Sequence, residues 1–216
     1  MKIVLVDDHA LVMEGLKCFL LSQGMDVVGT AVNSAEAIMQ YEVYKPDVVL
    51  MDIQMNGCDG IETTRIIKKK YPAAKIVMLT AFEDEEKILA AIQAGAEGYL
   101  LKDMEPASFL RQLTGMAAGE PPLAPHVALR LLHEVGQGKS LSACEMHSSG
   151  IQLSERQLEV LQLLAEGLTY RKIGKRLGIQ ETTVKYHVRE ILVKLGLSNR
   201  IQLITYALQE KLISQK

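Results

Sequence analysis

VVLMDIQMNG, residues 48–57, sets a carboxylate at the end of an apolar, partly β-branched run. Such a run reads as a buried strand, and Asp52 stands at its carboxyl end. A charge placed there loses hydration, which is costly unless something compensates it. Upstream, KIVLV (2–6) is a short β-rich run, followed by HALVMEGLKCFLL, whose apolar residues recur at helical spacing. VVGTAV (27–32) reads as a second strand. SAEAIMQYEVY (34–44) reads as a helix with Ser34 as its N-cap. The third strand is DVVLM (47–51), with a helix over 60–70 after it. KIVMLT (75–80) is the fourth strand, followed by a helix over 84–94. EGYLL (97–101) is the fifth, followed by a helix over 106–118.

Five strand–helix units predict an α/β fold, a parallel sheet with helices on both faces. Right-handed crossovers make that sheet doubly wound. Ligands of such sheets bind beyond the carboxyl ends of the strands, where the strand order reverses. The first strand ends in Asp7-Asp8, the third in Asp52, the fourth in Thr80-Ala81 and the fifth in Lys102. Three carboxylates at one sheet edge repel one another and raise one another's pKa unless a cation intervenes. Hard oxygen donors with few competing nitrogens or sulfurs suit Mg²⁺, which commonly binds beside a phosphate. A carboxylate can also act as a nucleophile toward phosphorus and form an aspartyl-phosphate. Lys102 would then stabilise the phosphoryl oxygens, and Thr80 would donate a hydrogen bond to one of them.

The remaining third of the chain has another character. Residues 1–120 hold 11 Lys/Arg against 18 Asp/Glu, and residues 151–216 hold 11 against 6. An acidic front and a basic back predict two domains with different partners, and the basic part is a nucleic-acid candidate. GEPPLAPH (119–126) ends the fifth helix, HVALRLLHEV (126–135) has helical periodicity, and GQGKSLSACEMHSSG (136–150) reads as flexible. The domains expected are therefore 1–118, a linker over 119–150, and 151–216. Four helices fill the last part: 153–167, capped by Ser154; 169–179, capped by Thr169; 180–196; and 201–213. The second and third, joined by a turn at Gly178, have helix-turn-helix form. Val184, Val188, Ile191, Leu192 and Leu195 point to a core. Lys185, Tyr186 and Arg189 lie on the opposite side, near the end of the helix that reads a major groove. Arg171, Lys172, Lys175 and Arg176 extend the basic face.

No apolar run approaches the ~20 residues that a membrane span needs. Asp7 and Asp8 interrupt the first apolar run, against a signal peptide, so a cytoplasmic location is expected. Cys18, Cys58 and Cys144 are widely spaced, with no Cys-x-x-Cys pair, which argues against zinc and for reduced thiols.

VDDH (6–9), MDIQM (51–55), GIE (60–62), LTA (79–81) and GAEGYLLKD (95–103) together resemble a receiver domain of a two-component response regulator. The block LSERQLEVLQLLAEGLTYRKIGKRLGI, with TTVKYHVREILVKLG and Asn199-Arg200, resembles the LuxR/NarL-type DNA-binding domain. The first resemblance implies a flavodoxin-like sheet and a phosphoacceptor at Asp52, supplied by a sensor histidine kinase. It implies Mg²⁺ on Asp7, Asp8, Asp52 and the backbone carbonyl of Gln54, with Lys102 as the conserved lysine. Thr80 matches the switch hydroxyl and Tyr99 the switch aromatic, which turns inward on phosphorylation. The second implies promoter DNA as partner, met by Lys185, Tyr186 and Arg189 with Thr182, Thr183, Arg171 and Lys172 around them, and a homodimer when active.

The sequence departs from these patterns in places. Asn56 and Asp103 stand where prolines are common, and a cis peptide at Lys102–Asp103 would cost about 3 kcal/mol. By the receiver resemblance, Gln54 and Phe82 lie where variation in that family tunes phosphoryl lifetime. Gln157 replaces a usual glutamate, and Gly174 replaces an alanine at up to ~1 kcal/mol of helix propensity. Three other functions compete with a phosphorylated transcription factor. One is a Mg²⁺-dependent phosphotransfer enzyme, although Asp52-Ile53-Gln54 lacks a second carboxylate two residues on, and no Walker-type loop is present. Another is a receiver whose C-terminal domain works through protein contacts alone, and the last is a DNA-binding regulator independent of phosphorylation.

Overall fold

The computed structural model describes residues 1–55, 58–81, 85–116, 120–123 and 153–209. Expectations for Asn56, Phe82, the helix over 126–135 and the flexible stretch 136–150 lie outside these residues. The chain divides into two compact units, Met1–Met104 and Glu105–Lys216.

In the first unit, strands β1 (Lys2–Val6), β2 (Asp26–Ala31), β3 (Val48–Asp52), β6 (Ile76–Thr80) and β7 (Gly98–Leu101) form one sheet of order β2-β1-β3-β6-β7, every pair parallel. Helices α1 (Ala10–Ser22), α2 (Ser34–Tyr44), α3 (Gly60–Lys70) and α4 (Glu85–Gln93) connect the strands. All residues of β3, β6 and β7 are buried, as expected for strands of a parallel sheet covered on both faces. The strand order reverses between β1 and β3. The register there pairs Val6 with Met51, so the residues that follow, Asp7 and Asp52, leave the sheet side by side.

Two local features differ from the sequence reading. The N-cap of α2 is Asn33, whose Oδ1 accepts from the Glu36 amide at 2.9 Å; the Glu36 carboxylate in turn accepts from Val32 N and Asn33 Nδ2. Ser34 is the first helical residue and meets Thr63 Oγ1 at 2.5 Å. Between β3 and α3 the chain forms a small antiparallel pair, β4 (Gln54–Met55) with β5 (Cys58–Asp59). Asp59 then caps α3 by accepting from Ile61 N, and Lys68, Lys69 and Lys70 occupy its last turn, where cations favour the helix dipole. Lys68 is itself buried and donates to Ala74 O at 2.7 Å and Pro72 O at 3.2 Å, with Glu97 at 3.3 Å. All peptide bonds of the described residues are trans, Lys102–Asp103 included, so no cis peptide persists there.

The second unit contains α5 (Pro106–Gly115) and four helices, α6 (Glu155–Ala165), α7 (Tyr170–Leu177), α8 (Glu181–Leu195) and α9 (Arg200–Gln209). Ser154 and Gln157 close a capping box on α6, and Thr169 caps α7. Gly178 and Gly196, at φ 67° and 64°, end α7 and α8 in the left-handed conformation that glycine adopts freely. Val160, Leu161, Leu164, Ile173, Val184, Ile191, Leu203 and Ala207 form a core with no exposed surface. Gln157 is buried too, and its Oε1 accepts from Lys194 Nζ at 2.8 Å and Ser154 N at 3.1 Å. Gly174 is not merely a weak helix former. A Cβ on it would lie 2.7 Å from Ile179 O, where the chain folds back into the turn before α8.

Gly60 has the tightest approach to the sheet edge. A Cβ there would sit 1.9 Å from the Asp52 carbonyl oxygen, and Gly60 N donates to Ile53 O at 3.0 Å. Gly60→Ala is therefore expected to destabilise the first unit by about 3 kcal/mol, the upper end for an overpacked site. Urea unfolding of the full chain measures this, and a loss below about 0.5 kcal/mol would show that the close approach does not constrain the loop.

Candidate functional site: an acid pocket at the sheet edge and a basic helix face

The register of β1, β3, β6 and β7 decides which side chains meet at the strand ends. Asp52 pairs with Leu79, and Thr80 pairs with Leu101, so Asp7, Asp52, Thr80 and Lys102 all emerge at one edge. Two backbone bonds secure it: Asp7 N to Ala31 O at 3.0 Å, and Lys102 N to Thr80 O at 2.7 Å. Asp7, Asp52 and Thr80 are almost fully buried, at 3%, 4% and 4% exposure.

Lys102 supplies the compensating charge. Its Nζ lies 2.6 Å from Asp7 Oδ2 and 2.9 Å from Asp52 Oδ2. Burial opposes the ammonium, yet the hydrogen bonds and charges of Asp7 and Asp52 outweigh it and hold Lys102 above the usual lysine range. For Asp52 the balance goes the other way. Burial pushes its carboxyl above the ordinary aspartate value, with Asp7 adding to the push. The Lys102 ammonium and the Gln54 backbone N–H pull it back only in part. Asp52 is thus a desolvated carboxylate whose charge is incompletely compensated.

Asp7, Asp8, His9 and Asp52 each offer one ligand atom, and these atoms all lie within 4.8 Å of one another. This donor set, with the Gln54 carbonyl two residues beyond Asp52, is compatible with Mg²⁺. His9 was not singled out in the sequence, because a lone histidine after two aspartates carries no metal-ligand spacing. Tyr99 is among the largest fully buried side chains, at 1% exposure, so its ring already lies inward.

The other candidate surface is on α7 and α8. Lys185, Tyr186, Arg189 and Thr182 are exposed on α8, and Arg171 and Lys172 on α7; Thr183 is half-buried. Spacing of three and four residues puts Thr182, Lys185, Tyr186 and Arg189 on one face. Val184, Val188, Ile191 and Leu195 occupy the opposite face, inside the core, with Leu192 packed against it. Lys185 Nζ meets Glu181 Oε1 at 2.7 Å, an exposed pair one turn away. Tyr186 is 60% exposed.

The direction of the Asp52 shift sets a pH dependence. A carboxyl whose folded pKa lies above its unfolded value holds its proton more tightly when folded, so stability falls as pH rises through that interval. Asp52→Asn is therefore expected to raise the urea midpoint of the first unit at pH 7 in EDTA-containing buffer. The gain should shrink as pH falls below the aspartate range, where wild-type Asp52 is protonated. A midpoint that drops at pH 7 would mean that the Lys102 pair outweighs the desolvation.

The family description "Response regulator receiver domain" matches residues 3–114, and "Bacterial regulatory proteins, luxR family" matches residues 151–207. The chain is 38% identical to the transcriptional regulatory protein LiaR of Bacillus subtilis over 214 residues, 99% of both chains. It is 37% identical to the transcriptional regulatory protein LnrK of the same organism over 212 residues, 96% of both. The structure of RcsB from Salmonella enterica serovar Typhimurium, bound to promoter P1flhDC with the phosphomimetic BeF3⁻, matches with a TM-score of 0.57. The identity is 28%, covering 95% of this chain and 97% of that one. Among the described residues no helix is long and apolar enough to cross a membrane. A receiver sheet with its acid pocket, followed by a luxR-family helix-turn-helix, places this chain in the NarL/FixJ family of two-component response regulators, which act as transcription factors.

Proposed function

We propose that Asp52 is the phosphoacceptor of this response regulator and that a sensor histidine kinase is its donor. The observation that carries this reading is a buried carboxylate at the strand end, with the Lys102 ammonium at 2.9 Å and Asp7 and Asp8 beside it. An Asp52 carboxylate oxygen attacks the phosphorus of a phosphohistidine. The P–N bond breaks, the imidazole leaves with the electron pair, and an aspartyl-phosphate forms. Asp7, Asp8, Asp52 and the Gln54 carbonyl would hold Mg²⁺, which when bound neutralises the pocket toward a phosphoryl group. Lys102 turns its ammonium from Asp52 to the phosphoryl oxygens, and Thr80 donates its hydroxyl to one of them. Turnover is confined to the protein's own phosphoryl group.

Thr80 and the inward-packed Tyr99 form the switch: phosphorylation favours the arrangement with Tyr99 inside, a population shift driven by local charge. The receiver covers 1–118, a linker 119–150 and the DNA-binding domain 151–216. The phosphorylated chain pairs as a homodimer on promoter DNA in the cytoplasm. Lys185, Tyr186 and Arg189 enter the major groove, with Thr182, Thr183, Arg171 and Lys172 toward the backbone. The exposure of Thr182, Lys185, Tyr186 and Arg189 on one face of α8, and of Arg171 and Lys172 on α7, supports that assignment.

Intact-protein mass after incubation with acetyl phosphate and Mg²⁺ tests the phosphoacceptor. One added phosphoryl group is expected on wild type and none on Asp52→Asn; an unmodified wild type beside a modified control receiver overturns the mechanism. For the DNA face, Lys172→Ala is expected to weaken binding across sequences and to lower the slope of log K against log salt by about 1, one phosphate contact's worth. An unchanged affinity and slope would remove Lys172 from the interface.

A further inference from the structure

The helix that carries Lys185, Tyr186 and Arg189 exposes apolar surface as well as charge. Among the described residues of the second unit, two large apolar side chains are exposed, Tyr186 at 60% and Val193 at 72%, and both are on α8. At about 100° per residue, Thr182, Tyr186, Arg189 and Val193 fall within an arc of about 60°. The buried Val184, Val188, Ile191 and Leu195 lie on the opposite side. Single exposed apolar residues are ordinary on a protein surface, but two on one stripe facing away from the core form a patch with a direction.

The neighbours of this stripe select what covers it. Lys185 lies alongside, and Arg189, within it, makes no hydrogen bond or ion pair among the described residues. A second copy presenting the same stripe would bring these cations face to face, whereas a polyanion attracts them. In the major groove of DNA the apolar group on a base edge is the C5-methyl of thymine, while guanine offers O6 and N7 to an arginine. The Tyr186 ring stands edge-on to that of His187, with centroids 5.9 Å apart and planes at 64°, so it is braced before it meets a base. From Tyr186 to Val193 the helix rises about 10.5 Å, the height of about three base pairs, and Arg189 lies between.

We propose that Tyr186 and Val193 read thymine through its methyl group, at A·T pairs about three base pairs apart, and that Arg189 reads a guanine between them. The inference rests on the DNA-reading role given above to α8, and adds Val193 and the base that each contact selects.

Selection of duplexes from a random-sequence pool, with the full-length protein treated with acetyl phosphate and Mg²⁺, supplies the sequence to test. In that duplex each thymidine is replaced in turn by deoxyuridine, which lacks only the methyl, and each guanine by 7-deazaguanine, which lacks N7. Wild type should lose about fourfold in affinity at each of two deoxyuridine positions, the effect of one methyl-sized group returned to water. It should lose about tenfold or more at one guanine between them. Tyr186→Ser should become indifferent to the methyl at one of the two positions and Val193→Ser at the other. The slope of log K against log salt should stay the same in both, because no phosphate contact is removed. Arg189→Ala should abolish the guanine dependence. If deoxyuridine weakens wild type nowhere, or if either serine variant keeps both methyl dependences, the stripe does not read thymine as stated, and DNA binding by α8 stands without it. If no sequence is enriched over the starting pool, the DNA-reading role of α8 fails as well.

Discussion

The contact between one ammonium and two carboxylates at the sheet edge is the constraint on which the receiver unit depends. Lys102 reaches Asp7 and Asp52 at 2.6 and 2.9 Å, and the carboxylates are almost fully buried. Removing Lys102 would strand both carboxylates away from water, a loss that typically costs about 3–5 kcal/mol, whereas removing Asp52 leaves the ammonium paired with Asp7. Yet the compensation is partial. Burial raises Asp52 despite Lys102, so the carboxylate stays higher in free energy than a solvated one. A group in that condition gains from any further positive charge, and this is the physical origin of the pocket's compatibility with a cation.

That origin is held in place by backbone rather than by side-chain fit. The register of four parallel strands fixes where Asp7, Asp52, Thr80 and Lys102 emerge. Gly60 brings the start of α3 against the Asp52 carbonyl, closer than any Cβ allows. The apolar runs in β1, β3 and β6 make the register costly to shift, because a slip by one residue would turn every side chain to the other face. The acid pocket is thus placed by residues that never touch a phosphoryl group.

Much of this was legible in the sequence for the same reason. The β-branched runs and the apolar helix spacing mark the five strands and the first four helices to within about two residues, close to the spread with which helix ends are defined, while the fifth helix ends at Gly115, short of the expected 118. The acids, the hydroxyl and the lysine followed from where those strands end. What escaped notice was short or depended on tertiary contact. The two-residue strands β4 and β5 are too brief for a period to register. Asn33 and Ser34 are both good caps, and the meeting of Ser34 with Thr63, 29 residues away, goes with Asn33 as the cap. Gly174 looked like a weak helix former until the approach of Ile179 O gave it a steric reason. His9 was visible as a letter, but its distances to Asp7 and Asp8 exist only in three dimensions.

The same physics limits how a signal at Asp52 could act on DNA. The helix-turn-helix is closed by its own residues: caps at Thr169, Gly178 and Gly196, and a core in which Val184 and Ile191 have no exposed surface. Its folding therefore needs no phosphoryl group elsewhere in the chain. Glu181 is also a poor brake on Lys185, since an exposed pair one helical turn apart is worth only about 0.3–0.5 kcal/mol and is screened by salt. A polyanionic duplex easily displaces it. Under the proposed function, phosphorylation would gain most by controlling access to that already formed and weakly self-engaged face, or by pairing two such faces. Pairing would have the larger effect, because a second linked contact multiplies affinity without a new residue at the DNA.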